Sequence, residues 1–393
     1  MSQQRISLSP DLTLLREEGY EVAIRYDHLV VTGVPYLNST GEVRLGTLVS
    51  DLSMAGDVTA KPENHVAMFA GEFPCDKDGR PLEKLRHGSG DTTIGNGLVT
   101  NHSFSRKPPG GYTDYHHKMT TYVALISKHA RDVDPNVTAQ TRRVVENEDP
   151  ESPFVYLDTA TGRAGVSAVS RKLELARVGI FGVGGTGGYV LDQVAKTPVL
   201  EIAIFDGDEF LQHNAFRAPG APSIGELKTQ PKKVDYLKGI YSKMHRGIVA
   251  HDFFIDETTV QQIGIFDFAF ICMDPGTPKR LLVEYLEANS IPFVDVGMGL
   301  ELIDDTLTGI LRVTASTPEK REHVREHKRI SFTDAGIDNL YSKNIQIADL
   351  NALNAALAVL KWKKLFGFYA DLEREHNSLY LISGNTLING DES

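Results

Sequence analysis

The second half of the chain alternates short apolar runs with amphipathic segments. Its apolar runs have the length of β-strands, and they read RVGIFG, LEIAIFD, IVAHDFF, FDFAFICM and PFVDVG. The segments between them carry apolar residues at helical intervals, as in GGYVLDQVAKT, KKVDYLKGIYSKM, ETTVQQI and PKRLLVEYLEANS. This alternation predicts a parallel sheet with helices on both faces, which is the doubly wound α/β class.

The first 140 residues follow a different pattern. They contain strand-like stretches such as EVAIRYDHLVVTGVPYL and HVAMFAGEFP, and a helical stretch, MTTYVALISKHA. Residues 87–118 are rich in glycine and polar side chains, which predicts a long loop of the kind that often has a function. We therefore predict a smaller N-terminal α+β domain over residues 1–140, with a role in recognising a partner.

Residues 141–158 read as a connector, because they are charged, contain proline and lack a clear period. The predicted α/β domain then covers residues 159–393. A long apolar helix, IADLNALNAALAVLKWKKLFG, and an alternating segment, SLYLIS, complete it.

Four histidines of the glycine-rich region raise the question of a metal site: His87, His102, His116 and His117. Adjacent histidines point in different directions in regular structure. We therefore expect these side chains to form hydrogen bonds within a loop rather than to bind zinc.

Composition narrows the class of protein. With 41% hydrophobic and 24% charged residues, the 393-residue chain is typical of a globular protein with two domains. The net charge of -11 argues against a general nucleic-acid binder. No apolar run of about 18 residues is present and the N-terminus does not resemble a signal peptide, so we expect a cytoplasmic protein without a membrane segment.

The only two cysteines are Cys75 and Cys272. Without a CxxC pair, a structural zinc site built on cysteines is excluded, and a disulfide framework is not expected.

A glycine motif follows the first apolar strand of the α/β domain. Gly182, Gly184, Gly185 and Gly187 form GxGGxG between a strand and a helix, where backbone N–H groups can approach phosphate. Asp206 ends the next strand, where a carboxylate can accept hydrogen bonds from ribose hydroxyls. These Rossmann-like features fit NAD and ATP equally, and glycine alone can also serve only to pack a helix on a strand.

Further charged residues follow the strand ends and favour ATP. Asp208, Asn214 and Arg217 lie just beyond the second strand, and Lys232 and Lys233 begin a helix. The rim of an open α/β sheet is where its ligands bind. Cations there would neutralise a triphosphate.

A second carboxylate, Asp274, ends the apolar strand FDFAFICMD. A carboxylate at this rim suits magnesium in nucleotidyl transfer, whereas a dehydrogenase does not require it.

Taken in register, GVGGTGG, FDGDEFLQHNAFR, the helix-initial lysine and CMD resemble the ThiF/MoeB/HesA family, the adenylation core of ubiquitin-activating enzymes. The resemblance covers roughly residues 160–390. It implies binding of MgATP and adenylation of the C-terminal glycine carboxylate of a ubiquitin-like protein, with release of pyrophosphate. It also implies a homodimer.

The resemblance assigns roles residue by residue. Asp206 would hold the ribose hydroxyls and Asp208 would support the acidic loop. Asn214 and Arg217 would contact the triphosphate. Lys233, or its neighbour Lys232, would neutralise that triphosphate.

Two further roles come from the family. Asp274 would hold Mg²⁺. An arginine from a segment before the first strand would enter the partner subunit's site, and here Arg163 and Arg171 are available.

The chain departs from the family at the step after adenylation. Many members transfer the acyl group to a cysteine in a loop that crosses the site, but the corresponding residues 304–334 contain no cysteine. Cys272 lies within an apolar strand and reads as core packing.

Three routes for the acyl group remain open. The enzyme stops at the acyl-adenylate and a partner, such as a ubiquitin-conjugating-like protein, supplies the nucleophile. Alternatively, an oxyester forms on Ser316, Thr317 or Thr314, or Cys75 accepts the acyl group.

Two other functions are compatible with parts of the pattern. One is a catalytically inert nucleotide-binding scaffold in a ubiquitin-like conjugation system, and the other is an NAD-dependent oxidoreductase. Retention of Arg217, a lysine and Asp274 favours the active adenylating enzyme, and the unfamiliar N-terminal domain suggests a bacterial conjugation pathway.

Overall fold

The structure is a computed structural model that describes residues 5–6, 8–95, 97–144, 147, 149–163, 166–333 and 345–391, without the side chains of residues 162, 163, 167 and 168. The chain divides into two units. Met1–Asp149 and Tyr156–Ser167 form the first, and Pro150–Val155 and Ala168–Ser393 form the second. Within the predicted connector, residues 150–155 thus belong to the second unit, where the Val155 N–H donates to the Met244 carbonyl.

The first unit is an antiparallel sheet packed against a helix. Its strands lie in the order β1-β2-β3-β6-β8-β7, and a separate two-stranded ribbon is formed by β4 and β5. The elements are α1 (Pro10–Glu17), β1 (Glu21–Arg25), β2 (His28–Leu37), β3 (Val43–Asp51), β4 (Met54–Ala55), β5 (Val58–Thr59), β6 (Val66–Ala70), β7 (Arg86–Gly95), β8 (Leu98–Ser105) and α2 (Tyr115–Val133), followed by the short α3 (Thr159–Arg163).

Helix α2 forms where the sequence predicts it. The Asp114 carboxylate caps its N-terminus by accepting from the His117 N–H, which satisfies one of the helix's free donors. Tyr115, Met119 and Tyr122 recur at helical spacing and are buried against the sheet.

The long loop predicted for residues 87–118 is wrong over its first part, because β7 and β8 form a hairpin there. One face of that hairpin is polar and exposed, which masks the strand pattern. Across it, Ser89 Oγ lies 3.1 Å from His102 Nδ1 and Asn101 Nδ2 donates to Asp91. His116 lies in the first turn of α2 and contacts Glu18.

The second unit contains an eight-stranded mixed sheet in the order β11-β10-β9-β12-β13-β14-β15-β16. Neighbours from β11 to β13 are parallel, and those from β13 to β16 are antiparallel. Its elements are α4 (Ser167–Ser170), β9 (Arg177–Phe181), α5 (Thr186–Val194), β10 (Glu201–Phe205), α6 (Ile224–Thr229), α7 (Lys233–Tyr241), β11 (Ile248–His251), β12 (Phe268–Ile271), α8 (Thr277–Ala288), β13 (Phe293–Ile303), β14 (Thr306–Ser316), α9 (His323–Glu326), α10 (Ala348–Leu365), β15 (Asn377–Leu381) and β16 (Thr386–Gly390).

The predicted Rossmann-like doubly wound sheet, preceded by a smaller α+β domain, is confirmed. Strand β9 lies between β10 and β12, so the order of the parallel strands reverses beside it. Such a reversal opens a crevice at the carboxyl ends of the strands, which is where ligands of open α/β sheets bind.

Two predicted elements differ from the structure. The segment ETTVQQI forms only a 3-10 turn at Val260–Gln262, which is too short to be a helix of the sheet layer. Strand β13 extends beyond the predicted PFVDVG to Ile303, because it pairs with β14, which forms the first part of the region that replaces the family's crossing loop.

Apolar residues fix these elements around the sheet. Trp362 of α10 is fully buried and its ring approaches Phe268 and Phe270 of β12. Helix α5 packs against α10, which brings the amino end of each helix to the same side of the sheet. No helix in the described ranges is long and apolar enough to cross a membrane.

Candidate functional site

A cavity of about 680 Å³ lies at the carboxyl ends of the parallel strands of the second unit. It gathers predicted residues that are far apart in the chain, since its lining includes Gly182, Gly184, Gly185, Asp206, Asp208, Arg217, Lys233 and Asp274. The other predicted residues are outside the lining, namely Gly187, Asn214, Lys232, Thr314, Ser316 and Thr317.

The glycines that follow β9 differ in what a side chain at each position would contact. Gly182 has a φ of 82°, which disfavours side chains, and a Cβ there would lie 2.6 Å from the Cys272 carbonyl oxygen. A Cβ on Gly187 would lie 1.8 Å from the Gly182 carbonyl oxygen. At Gly184, by contrast, a Cβ meets no described atom within 4 Å. Gly184 therefore borders open space at the start of α5, where backbone N–H groups favour an anion.

Asp206 connects the glycine loop to the acidic loop that follows β10. One carboxylate oxygen accepts from the Val183 N–H at 2.9 Å and the other accepts from the Asp208 N–H at 3.0 Å. The carboxylate is thus held by backbone groups, which fixes its position at the cavity wall.

Of the two lysines at the start of α7, Lys233 is the one that lines the cavity. Its Nζ donates to Asp208 at 2.6 Å and lies 3.5 Å from Asp206. The side chain of Lys232 turns elsewhere, donating to the Gly207 carbonyl and pairing with Asp252 at 3.4 Å.

Two nitrogen donors near the glycine loop lack partners. Among the described residues, neither Nε of Arg217 nor Nδ2 of Asn214 has a hydrogen-bond partner, and both atoms are buried. The Asn214 oxygen accepts from the Leu211 N–H, which directs its amide nitrogen away from that turn. Buried donors are normally paired, and Arg217 lines the cavity, so its free Nε indicates a site for an acceptor-rich group such as phosphate.

The opposite wall contains a cationic network that sequence reasoning missed. Asp295 of β13 is fully buried between Lys279, at 2.8 Å, and Arg312, whose guanidinium also donates to Thr314 Oγ1. Lys279 and Arg312 both line the cavity. Two cations share one carboxylate, so this wall carries net positive charge. The acidic residue inside the apolar run PFVDVG was the signal that could have revealed it.

Two asparagines of α10 were also missed. Asn351 accepts from Thr186 Oγ1 and donates to the Arg217 carbonyl, so it joins α10 to both the glycine loop and Arg217. Asn354, three residues later, donates to the Gly297 carbonyl at 3.0 Å. A pair of buried amides on the otherwise apolar helix NALNAALAVL was the available signal.

Arg329 reaches the cavity from the C-terminal part of the unit. Asp391 accepts two hydrogen bonds from it and a third from His327 at 2.6 Å. Burial opposes ionisation of Asp391, but these hydrogen bonds outweigh it and lower the pKa to about 2. Asp391 is therefore ionised at neutral pH and holds Arg329 at the cavity wall.

The predicted acyl acceptors occupy less accessible positions. Thr314 and Ser316 are buried in β14, and Thr314 Oγ1 donates to Asn377. Thr317 pairs with Lys320 in the turn that follows. Of the two arginines considered for the partner's site, Arg171 is exposed and the Arg163 side chain is outside the described residues.

The thiols of Cys75 and Cys272 are both protonated at neutral pH. Burial, with a smaller effect of the Asp295 charge, raises the pKa of the Cys272 thiol well above its usual value. Burial also raises the pKa of Cys75, which is 2% exposed in the first unit. Cys272 contacts the cavity, and the nearby Lys279 charge favours its thiolate, but burial and the Asp295 charge together outweigh that effect.

Both cysteines are accordingly expected to resist alkylation. In native protein at pH 8, iodoacetamide should modify them at least about tenfold more slowly than in denatured protein, because only the thiolate reacts. Raising the pH to 9 should leave Cys272 slow, since its pKa lies higher still. Mass spectrometry of the alkylated peptides measures both rates, and rapid labelling of native Cys272 at pH 8 would contradict the raised pKa.

Comparison with known proteins finds a matching family for each half of the chain. Residues 10–159 match a domain of unknown function, DUF6791, and residues 159–366 match the ThiF family. The tRNA threonylcarbamoyladenosine dehydratase of Haemophilus influenzae is 26% identical over 129 residues, which are 32% of this chain and 49% of that protein. The Escherichia coli protein of the same name is 25% identical over 134 residues, 33% of this chain and 49% of that protein. The chain thus spans about half the length of the curated relatives it matches.

Solved structures with similar folds include E. coli MccB with ATP, at 19% identity and a TM-score of 0.46, covering 60% of this chain and 69% of MccB. PaaA has 16% identity and a TM-score of 0.44, covering 57% of this chain and 75% of PaaA. Because the ThiF model matches more than half of the 393 residues, the resemblance found in the glycine loop and the acidic loop is confirmed, and the chain belongs to the ThiF family.

Proposed function

We propose that this protein uses MgATP to adenylate a carboxylate, which it takes from the C-terminus of a ubiquitin-like protein. A carboxylate oxygen attacks the α-phosphorus of ATP, the bond between the α-phosphorus and the bridging oxygen breaks, and pyrophosphate leaves. The substrate carboxylate is already ionised at neutral pH, so the step needs no general base.

The observation that carries this proposal is the unpaired Nε of Arg217 beside the open space at Gly184. A buried guanidinium nitrogen without an acceptor is costly, and a phosphate oxygen would satisfy it. The cavity wall therefore has the donors that a triphosphate requires.

The other roles follow from the positions of the charges. Asp206, oriented by two backbone N–H groups, would accept from the ribose hydroxyls. Lys233 would move from Asp208 to the phosphates, and Asn214 would direct its free amide towards the same charge. Asp274 would hold Mg²⁺, which supplies charge neutralisation of the phosphates.

A narrow peptide tail suits the remaining part of the cavity. Gly297 and Gly299 of β13 line it together with Ile310, and a Cβ on Gly299 would meet no described atom within 4 Å. The open space beside Gly299 leaves room for an extended chain that ends in glycine. This supports a protein C-terminus as the source of the carboxylate.

We further propose that the enzyme stops at the acyl-adenylate and that a partner supplies the next nucleophile. The buried hydroxyls of Thr314 and Ser316 and the protonated thiol of Cys272 favour this route over an internal ester or thioester. The partner would be a ubiquitin-conjugating-like protein. The proposed homodimer would allow Arg171 or Arg163 to act at the partner's site.

A carboxylate attached to a nucleoside is the second candidate substrate. Its support is the similarity, over a third of this chain, to proteins named tRNA threonylcarbamoyladenosine dehydratase. The net charge of -11 weakens this candidate, because tRNA is a polyanion.

ATP–pyrophosphate exchange tests the proposal and separates the candidates. The assay uses the full chain with a ubiquitin-like protein that ends in glycine, the same protein lacking that glycine, or total tRNA. We expect exchange with the first alone and loss of exchange in Asp274→Ala.

The alternatives give different results. Stimulation by tRNA would replace the protein substrate with the nucleoside-linked one. ATP binding without exchange under any condition would indicate the inert scaffold, and binding of NAD without ATP in calorimetry would indicate an oxidoreductase.

A further inference from the structure

A buried acceptor in the cavity wall has no partner. Asn354 is 1% exposed and lines the cavity, and its Oδ1 has no hydrogen-bond partner among the described residues. A buried amide oxygen that gives up water without gaining a donor destabilises the folded protein. Such an atom in a cavity wall indicates that a ligand supplies the donor.

The hydrogen bond made by Nδ2 fixes the orientation of the Asn354 amide. Nδ2 of Asn354 donates to the Gly297 carbonyl at 3.0 Å. A carbonyl oxygen only accepts, so the nitrogen must face Gly297 and the oxygen must be the atom without a partner. Rotating the amide by 180° would oppose two oxygens and cannot resolve the deficit.

A cation, Arg312, lines the same cavity and lies where a side chain on Gly297 would be. Gly297 pairs with Arg312 across β13 and β14, and a Cβ on Gly297 would lie 2.8 Å from Arg312 Nη2. The missing side chain thus makes room for the guanidinium, which Asp295 and Thr314 hold in position. Asn354 and Arg312 therefore both contact Gly297, one as an unpaired acceptor and the other as a cation.

We propose that Asn354 recognises an N-acyl α-amino acid, with its Oδ1 accepting the amide N–H, and that the cationic wall of the same cavity, which includes Arg312, attracts the carboxylate. This inference rests on the proposed adenylation and names the substrate class for the same cavity. A protein C-terminus belongs to this class, since its last residue carries both the amide N–H and the α-carboxylate. A simple fatty acid or a β-keto acid does not, because it lacks the N–H.

Acyl-sulfamoyl adenosines test the assignment, because they imitate the acyl-adenylate without reacting. In N-acetylglycyl-sulfamoyl adenosine the amide N–H is present, whereas in the levulinoyl analogue a CH₂ group replaces it without changing the length. Calorimetry with the full-length wild type should show about tenfold tighter binding of the N-acetylglycyl compound. The ratio should fall to about one in Asn354→Leu.

Two further variants separate recognition from structure. Asn354→Asp retains an acceptor and should keep the preference even if both affinities fall. Asn351→Ala removes the adjacent amide, whose two ends are both paired, so it should weaken both analogues equally and leave the ratio unchanged.

The outcomes are distinguishable. Equal binding of the two analogues to wild type, or a preference that survives in Asn354→Leu, would overturn the inference and leave adenylation intact. If neither analogue nor ATP binds the folded wild type, the proposed function fails and this inference fails with it.

Discussion

Gly187→Ala is expected to prevent stable folding of the second unit, whereas Gly184→Ala should leave it folded but unable to bind ATP. The two residues belong to one glycine motif and the substitution is the same, so only the local geometry differs. At Gly187 the added methyl carbon would lie 1.8 Å from the Gly182 carbonyl oxygen, and backbone rather than a flexible side chain would have to move. We expect a loss of about 3–5 kcal/mol in the free energy of unfolding, or insoluble protein.

At Gly184 the methyl group enters open space and clashes with no described atom. The free energy of unfolding should therefore change by less than about 1 kcal/mol. That space is where phosphate would approach the start of α5, so ATP affinity should fall at least about 30-fold. Thermal unfolding and calorimetric titration with ATP measure the two effects. A stable Gly187→Ala protein would show that the loop is misplaced, and normal ATP binding by Gly184→Ala would show that phosphate binds elsewhere.

Arg217→Ala is expected to reduce ATP–pyrophosphate exchange about 100- to 1,000-fold without destabilising the protein. The loss follows from removing a cation that stabilises charge on the phosphates during transfer. Stability should be unchanged or higher, because the Nε atom that is removed is buried without a partner. The Arg217 carbonyl that binds Asn351 is retained in the variant.

Arg217→Lys should recover only a small part of the activity, since an ammonium group cannot reproduce the planar donors of a guanidinium. Arg280→Ala is the matched control, because Arg280 lies on the exposed face of α8 outside the cavity. Its exchange rate should match the wild type. A fully active Arg217→Ala protein would contradict the role proposed for this side chain.

The sheet could be predicted because parallel strands that are buried on both faces appear in the sequence as continuous apolar runs. RVGIFG and LEIAIFD are continuous apolar runs, and each is buried as β9 and β10. The hairpin β7–β8 has a weaker hydrophobic pattern in the sequence, because one of its faces is exposed and polar. Strand β14, TLTGILRVTAS, was not among the predicted strands, because its first half is exposed and lacks a continuous apolar run, yet it pairs with β13 throughout.

The charges near the glycine motif could also be predicted, because they follow strand ends at short intervals. Asp206 directly follows β10 and Lys233 begins α7, so local sequence already brings both to the rim of the sheet. The choice between Lys232 and Lys233 depended on which side of the helix start faces the cavity. The structure shows Lys233 against Asp208 and Lys232 against Asp252.

By itself, the sequence determined the alternation of strands and helices, the glycine-rich turn after the first strand and the family, because each depends on residues close together in the chain. The tertiary structure decided the opposite wall of the cavity, where Asn354 of α10 meets Gly297 of β13 and Arg312 of β14. These residues come from three separate elements. The buried amides of α10 and the acidic residue of β13 each leave a local signal, but no local signal shows that they lie in one cavity. Asn354 Oδ1 becomes a buried acceptor without a partner, and Arg312 binds the Asp295 carboxylate, only when the helix packs on the sheet. The substrate side of the site therefore could not be predicted from the sequence.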